Sequence, residues 1–158
     1  MKGVILAGGM GTRLYPTTIS TNKHLLPLYD KPLIYYPLSN LLLAGCTEIL
    51  IISNPENIDL FENLIGNGER FGIEIKYKKQ NKPDGIPSAL NLAKKFTNGD
   101  DFWLTLGDNL IFGSRINEKY KNASDSNNAT VFLKFVGDTT GLGVAKLEKD
   151  KITELVEK

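Results

Sequence analysis

Short apolar runs alternate with amphipathic stretches along this chain. Gly3 to Ala7 and Ile49 to Ser53 are continuous apolar runs of strand length. Runs this short and this apolar read as strands buried on both faces, the habit of a parallel sheet. Ile73 to Lys79 alternates Ile, Ile and Tyr with charges, which predicts a third, half-exposed strand whose Lys76, Lys78 and Lys79 form a wet face and strand end. Phe102 to Leu106 is a fourth run, with Trp103 read as core. Helical spacing fills the intervals. Ile34, Leu38, Leu41 and Leu42 follow a Pro32 placed to open a helix, and Gly45 ends it. Ile58, Phe61, Leu64 and Ile65 mark one side of a helix over Glu56 to Ile65, and further helices are expected over Ala89 to Phe96 and over 113–123. Ser124 to Asn128 reads as a polar loop, with strands at Ala129 to Val136, Gly143 to Leu147 and Lys151 to Val156. This alternation predicts an α/β fold: a doubly wound, mostly parallel sheet flanked by helices, with right-handed crossovers.

Bulk properties add constraints. The 158 residues suffice for one domain with a real core. At 41% hydrophobic and 23% charged the composition is that of an ordinary globular protein. A net charge of +1 gives no global attraction to nucleic acid or acidic membranes, and no apolar run is long enough to span a bilayer. Cys46 is alone, which excludes an intrachain disulfide and suits a reducing, cytoplasmic location; its expected role is that of a small buried hydrophobe.

Candidate chemistry begins where the first strand ends, at Leu6-Ala7-Gly8-Gly9-Met10-Gly11-Thr12-Arg13-Leu14. Glycines let successive backbone N–H groups curl around one anion, and Arg13 adds a planar fork of donors. Two familiar phosphate motifs fail here. A P-loop counted from Gly8 needs glycine at Arg13 and lysine at Leu14; a dinucleotide loop counted from Gly9 and Gly11 needs glycine at Leu14. Residues 14–31 form a long irregular segment in which Lys23 precedes a Leu25-Leu26-Pro27 anchor able to hold it at the glycine loop, or is simply a solvated lysine. The loop Gln80 to Ser88 offers an amide side chain and a Gly85 that permits close backbone approach, features of a base reader or of an ordinary turn. Asp108, behind Gly107, lies at the carboxyl end of a strand, where α/β sheets keep ligands; it either holds Mg²⁺ or closes a turn.

Together the glycine loop through Pro16, Lys23-His24-Leu25-Leu26-Pro27, Tyr29 to Leu38 and Leu106-Gly107-Asp108-Asn109 closely resemble the sugar-nucleotide pyrophosphorylases, with the thymidylyltransferase branch as the nearest likeness. The resemblance runs over essentially the whole chain. It implies a Rossmann-like nucleotidyltransferase domain over 1–158, in which a sugar 1-phosphate (glucose 1-phosphate) attacks the α-phosphorus of a nucleoside triphosphate (dTTP) and pyrophosphate leaves. It assigns Leu6, Ala7, Gly8, Gly9, Gly11, Thr12, Arg13, Gln80, Pro83 and Gly85 to the nucleotide. Arg13, Lys23 and Asp108 are the catalytic set, with Asp108 on Mg²⁺. Gly107, Gly143, Glu157 and Lys158 go to the sugar phosphate. Homo-oligomers are also implied; nucleic acid and membrane partners are not. The alternative is a non-catalytic nucleotide-binding module, and a nicotinamide-linked oxidoreductase is disfavoured by the failed glycine spacing.

The chain departs from the family pattern in four ways. His24 replaces a usual Gln, Pro87-Ser88 replaces an Ala followed by Gln or Glu, and Leu142 replaces a Tyr. These bear on the base and the sugar, not on the reaction class. Family members also continue for roughly another hundred residues. The missing part carries a second metal-binding Asp, so the chain is expected to be truncated at its C-terminus, with an incomplete sugar pocket.

Overall fold

A computed structural model describes residues 1–82, 84–126, 128–149 and 151–156. The chain divides into two units, Met1–Ser124 and Asp125–Lys158.

The first unit is built on four parallel strands: β1 (Lys2–Leu6), β4 (Glu48–Ser53), β5 (Glu74–Lys79) and β6 (Phe102–Leu106). Two minimal strands, β2 (Pro27–Leu28) and β3 (Lys31–Pro32), form a separate antiparallel hairpin. The parallel sheet has the order β5-β4-β1-β6. The chain therefore builds outward from β1 twice, then returns to β1's other side. β1 pairs on both edges in one register, Leu6 opposite both Ile52 and Leu106.

Period-two alternation decides which helix meets which face. Ile5, Ile49, Ile51 and Ile75 join Leu38 and Leu41 of α1 (Tyr35–Leu43) and Phe61 and Ile65 of α2 (Pro55–Ile65) in one core. Val4, Leu50 and Ile52 point the other way and pack on Ala93, with Leu92 and Phe96, of α3 (Ile86–Thr97). Helices thus cover both faces, as doubly wound folds require. On α4 (Ile116–Ser124), Tyr120 is buried with its ring edge-on to Trp103 at 5.3 Å. Cys46 is buried as expected, and burial pushes its thiol pKa up to about 11.

Several boundaries differ from the sequence pattern. Pro32 does not open a helix; it sits in β3 opposite Pro27, and α1 begins three residues later. α3 begins at Ile86 rather than Ala89, because Pro87 falls in the first turn, where a missing N–H costs nothing. The helix expected over 113–123 begins at Ile116, after Arg115 with φ 59°.

In the second unit, β7 (Val144–Glu148) and β8 (Lys151–Val156) form an antiparallel pair with a register shift between Lys146 and Leu147. The strand expected over 129–136 is absent: these residues form no ladder with any described strand, and Phe135 is 97% exposed. An apolar, β-branched and aromatic run supplies the composition of a strand, but a strand also needs a partner edge for its backbone groups.

Phe61 is fully buried at the centre of the larger core. Phe61→Ala is expected to remove about 3–5 kcal/mol of stability, read as a lower urea midpoint.

Candidate functional site

The candidate site lies at the carboxyl edge of the sheet, where the connection from β1 leads to β4 on one side and the connection from β5 crosses to β6 on the other. Open α/β sheets bind ligands at such a switch point. Ala7 continues the β1 ladder, its N–H donating to the Ile52 carbonyl at 2.7 Å. Its own carbonyl accepts from Ser53 Oγ at 2.9 Å and from Asn22 Nδ2 at 3.4 Å. The entrance to the glycine loop is therefore tied from both sides. Gly11 takes φ 65°, and the Thr18 hydroxyl donates to its carbonyl at 2.8 Å. A Cβ there would stand 3.0 Å from Thr18 and 3.1 Å from the Lys23 Cβ, so only glycine suits this bend. Thr12–Leu14 form one 3₁₀ turn that carries Arg13 into solvent, where it makes no ion pair among the described residues.

The Leu25-Leu26-Pro27 anchor does hold Lys23 at this loop. Lys23 lies on a second 3₁₀ turn, Lys23–Leu25, braced by Ile34 N–H donating to the His24 carbonyl (2.9 Å) and Leu33 N–H to that of Leu26 (3.0 Å). Lys23 Nζ donates to Asp108 Oδ2 at 2.5 Å. A Cβ on Gly9 would lie 3.4 Å from the same nitrogen. One ammonium thus stands between bare loop backbone and the carboxylate that follows β6. Partial burial by itself would raise the Asp108 pKa. The hydrogen bond and charge of Lys23 outweigh burial, and the net shift is downward.

His24 has a buried partner of its own. It is 1% exposed, and its Nδ1 lies 2.6 Å from Asn22 Oδ1, which also accepts the His24 backbone N–H at 2.9 Å. Asn22 must turn its oxygen toward that N–H, because its amide nitrogen serves Ala7. Nδ1 is then the protonated ring nitrogen. Burial lowers the His24 pKa to about 4, with Lys23's charge adding to the effect and Asp108 opposing it, so the ring is neutral at neutral pH. The ring packs against Gly107, where a Cβ would come within 2.6 Å of His24 Cδ2. The Asn22–His24 pair therefore props the glycine-loop entrance and the approach to Asp108 at once.

The other side of the crevice is lined by amides. Gln80 donates its backbone N–H to Ser53 (2.8 Å), extending the β4–β5 ladder. Its side chain crosses to the loop, so that a Cβ on Gly8 would meet Gln80 Oε1 at 3.2 Å and Asn54 Oδ1 at 3.6 Å. Gly85, with φ 87° and ψ −179°, occupies the N-cap of α3, a conformation that calls for glycine. Leu6 ends β1, while Thr12 shares the turn of Arg13. Gly143 belongs to the second unit, just before β7. Pro83, Glu157 and Lys158 lie outside the described residues. Sequence reading missed Asn22, Ser53 and Asn54; the available signal was a polar side chain next to a strand end or a lysine candidate.

No group of three or more His, Cys, Asp or Glu side chains is gathered for a metal among the described residues. Asp108 by itself fits an ion such as Mg²⁺, which takes one or two carboxylates and fills its other positions with waters and substrate phosphates. No helix among the described residues is long and apolar enough to cross a membrane.

Comparison with known proteins places this geometry in context. A family model described as nucleotidyl transferase matches residues 2–158. The glucose-1-phosphate thymidylyltransferase of Neisseria meningitidis serogroup A is 46% identical over 151 residues, which cover 95% of this chain and 52% of that protein. The enzyme of the same name from Mycolicibacterium smegmatis is 40% identical, covering 100% and 55%. The chain thus spans about half the length of the curated relatives it matches. A crystal structure from Bacillus anthracis, provisionally described as a glucose-1-phosphate thymidylyltransferase and bound to sucrose, superposes with TM-score 0.91 at 39% identity, covering 99% of this chain and 64% of that one. A UDP-glucose pyrophosphorylase bound to UDP-glucose, at 22% identity and TM-score 0.77, covers 99% and 68% and shares the fold.

Two outcomes are expected from the His24 packing. A neutral buried histidine stabilises the fold above pH 6.5, and that contribution is lost as pH falls toward 4, because the unfolded chain takes up the proton first. The loss is on the order of 3 kcal/mol; urea unfolding at pH 7.5 and 4.5 should show it, and His24→Gln should flatten that difference. Gly107→Ala forces a methyl group into the buried ring and should cost about 1–3 kcal/mol, seen as a lowered thermal midpoint in the same buffer.

Proposed function

The chain belongs to the nucleotidyl transferase family, and from that membership we propose that it forms the nucleotide-binding half of a sugar-1-phosphate nucleotidyltransferase. The substrates that its relatives' names suggest are a thymidine triphosphate and glucose 1-phosphate. The observation that carries this reading is the Lys23–Asp108 pair beside Gly9, at the switch point of the sheet.

The chemistry follows from the charges. A phosphate oxygen of the sugar 1-phosphate attacks the α-phosphorus. The bond from that phosphorus to the bridging oxygen of the β-phosphate breaks, and pyrophosphate leaves with the electron pair. No proton needs to move and no covalent enzyme intermediate is required. Both reactants are anions, so the protein must offset repulsion and hold attacking and leaving oxygens in line. The N–H groups of Gly8 to Thr12 and the exposed Arg13 receive the triphosphate and the departing pyrophosphate. Lys23, already within reach of Gly9, neutralises charge near the α-phosphate. Asp108 would hold Mg²⁺, which would supply Lewis acidity and a template for the phosphates. Gln80 and Gly85 receive the base, and Gly107 is assigned to the sugar phosphate by resemblance alone, since the space at its Cβ position is filled by the His24 ring. Gly143, Glu157 and Lys158 are assigned to the sugar phosphate by resemblance.

A second reading is a nucleotide-binding module without turnover, favoured by the lack, among the described residues, of any group of three or more His, Cys, Asp or Glu side chains able to hold a metal. The two separate on one assay, pyrophosphate release followed across several nucleoside triphosphates and hexose 1-phosphates. The enzyme reading expects release that requires both Mg²⁺ and a sugar 1-phosphate; binding without release from any pair leaves the module. In an active chain, Arg13→Ala and Asp108→Ala are each expected to lower turnover by about 100-fold or more with an unchanged far-UV circular dichroism spectrum. Wild-type rates in either variant would remove that residue from the mechanism.

A further inference from the structure

We infer that Asn54 is a second base-reading residue, working beside Gln80 to grip the hydrogen-bonding edge of a pyrimidine; this deepens the proposed function and rests on it. The sheet register carries the first part of the argument. Ser53 pairs with Lys79 and Leu6 with both Ile52 and Leu106. The ladder continues past the strand ends, through Ala7 to Ile52, Gly107 to Leu6 and Gln80 to Ser53. Carrying the registers forward puts Gln80, Asn54, Gly8 and Asp108 in one row across four neighbouring strands. With strands about 4.8 Å apart, the row is about 14 Å long. Two amides occupy one end, a carboxylate the other, and bare backbone the middle. A nucleotide lying along the row puts its base on the amides and its phosphates toward Asp108.

The second part is that both amides are free to act. Asn54 is the N-cap of α2, a position where Asn ordinarily spends its oxygen on its own helix, yet its side chain makes no capping bond. Ser53 Oγ approaches Asn54 Oδ1 only at 3.4 Å and has one proton, already given to the Ala7 carbonyl at 2.9 Å. Gln80 is 8% exposed and its side chain makes no hydrogen bond among the described residues. Both amide oxygens face the Gly8 position, where a ligand's polar edge can meet them. The edge of thymine or uracil runs carbonyl, N–H, carbonyl. One amide can accept the N–H and donate to one carbonyl, while the second donates to the other.

The test is Asn54→Ser, because serine caps a helix as well as asparagine but has no amide. Binding of dTTP and of inorganic tripolyphosphate is measured by calorimetry for wild type and variant. The expected result is a roughly tenfold rise in the Kd for dTTP, corresponding to one lost hydrogen bond, with tripolyphosphate affinity unchanged and the preference for dTTP over ATP reduced. Unchanged dTTP affinity overturns the inference. So does equal weakening of both ligands, which would make Asn54 merely structural. Wild type that binds dTTP no better than tripolyphosphate overturns base reading but leaves the phosphate cradle standing. Wild type that binds neither overturns the proposed function itself.

Discussion

The constraint on which the site depends is the position of β1. It is the one strand paired on both edges to partners on opposite sides of the switch point, and Val4, Ile5 and Ala7 are fully buried. Its carboxyl end cannot shift without breaking two ladders and uncovering two cores. The glycine loop therefore starts from a fixed point, and the ends of β4, β5 and β6 are held level with it. Flexible glycines alone would be a poor phosphate site, since ordering each residue costs about 1–2 kcal/mol. Here Ser53 and Asn22 hold the Ala7 carbonyl and Thr18 holds that of Gly11, so folding meets much of that cost before any ligand arrives.

The same economy governs the polar groups under the loop. Lys23 and Asp108 come together in a partly buried place, where an isolated charge would be expensive. A protonated His24 next to Lys23 would add a second positive charge inside the fold. Burial and the neighbouring Lys23 charge keep the ring neutral instead, so Lys23 faces a polar wall and not a competing cation.

Much of this was legible in the order of residues, for identifiable reasons. Phe102–Leu106 has the expected bounds, and β1, β4, β5 and α2 agree within one residue, because apolar periodicity reports burial directly. The start of α3 was displaced because Pro87 reads as a helix breaker, although the first turn tolerates it. The 129–136 run misled because apolar composition describes side chains and says nothing about the backbone partner. At the site, Lys23 and Asp108 are 85 residues apart, and no local spacing links them; family resemblance made that connection. Asn22, Ser53 and Asn54 stayed hidden because a polar residue at a strand end or in an irregular segment has no period to betray it.

Under the proposed function, the Lys23–Asp108 pair would also link metal to nucleotide. Asp108 carries one negative charge, and Lys23 already meets it at hydrogen-bond distance. A divalent cation added to the empty-handed pair would face an adjacent ammonium, and that repulsion disfavours it. A triphosphate over Gly9 changes the balance, because it offers Lys23 a new anion within a short swing and frees Asp108. It also brings the phosphate oxygens that a lone carboxylate lacks as co-ligands. Under the proposed function, binding of metal and nucleotide is therefore reciprocal, each raising the affinity of the other by the same factor. The coupling resides in one lysine held between two anion positions by a 3₁₀ turn and the buried Asn22–His24 pair beneath it.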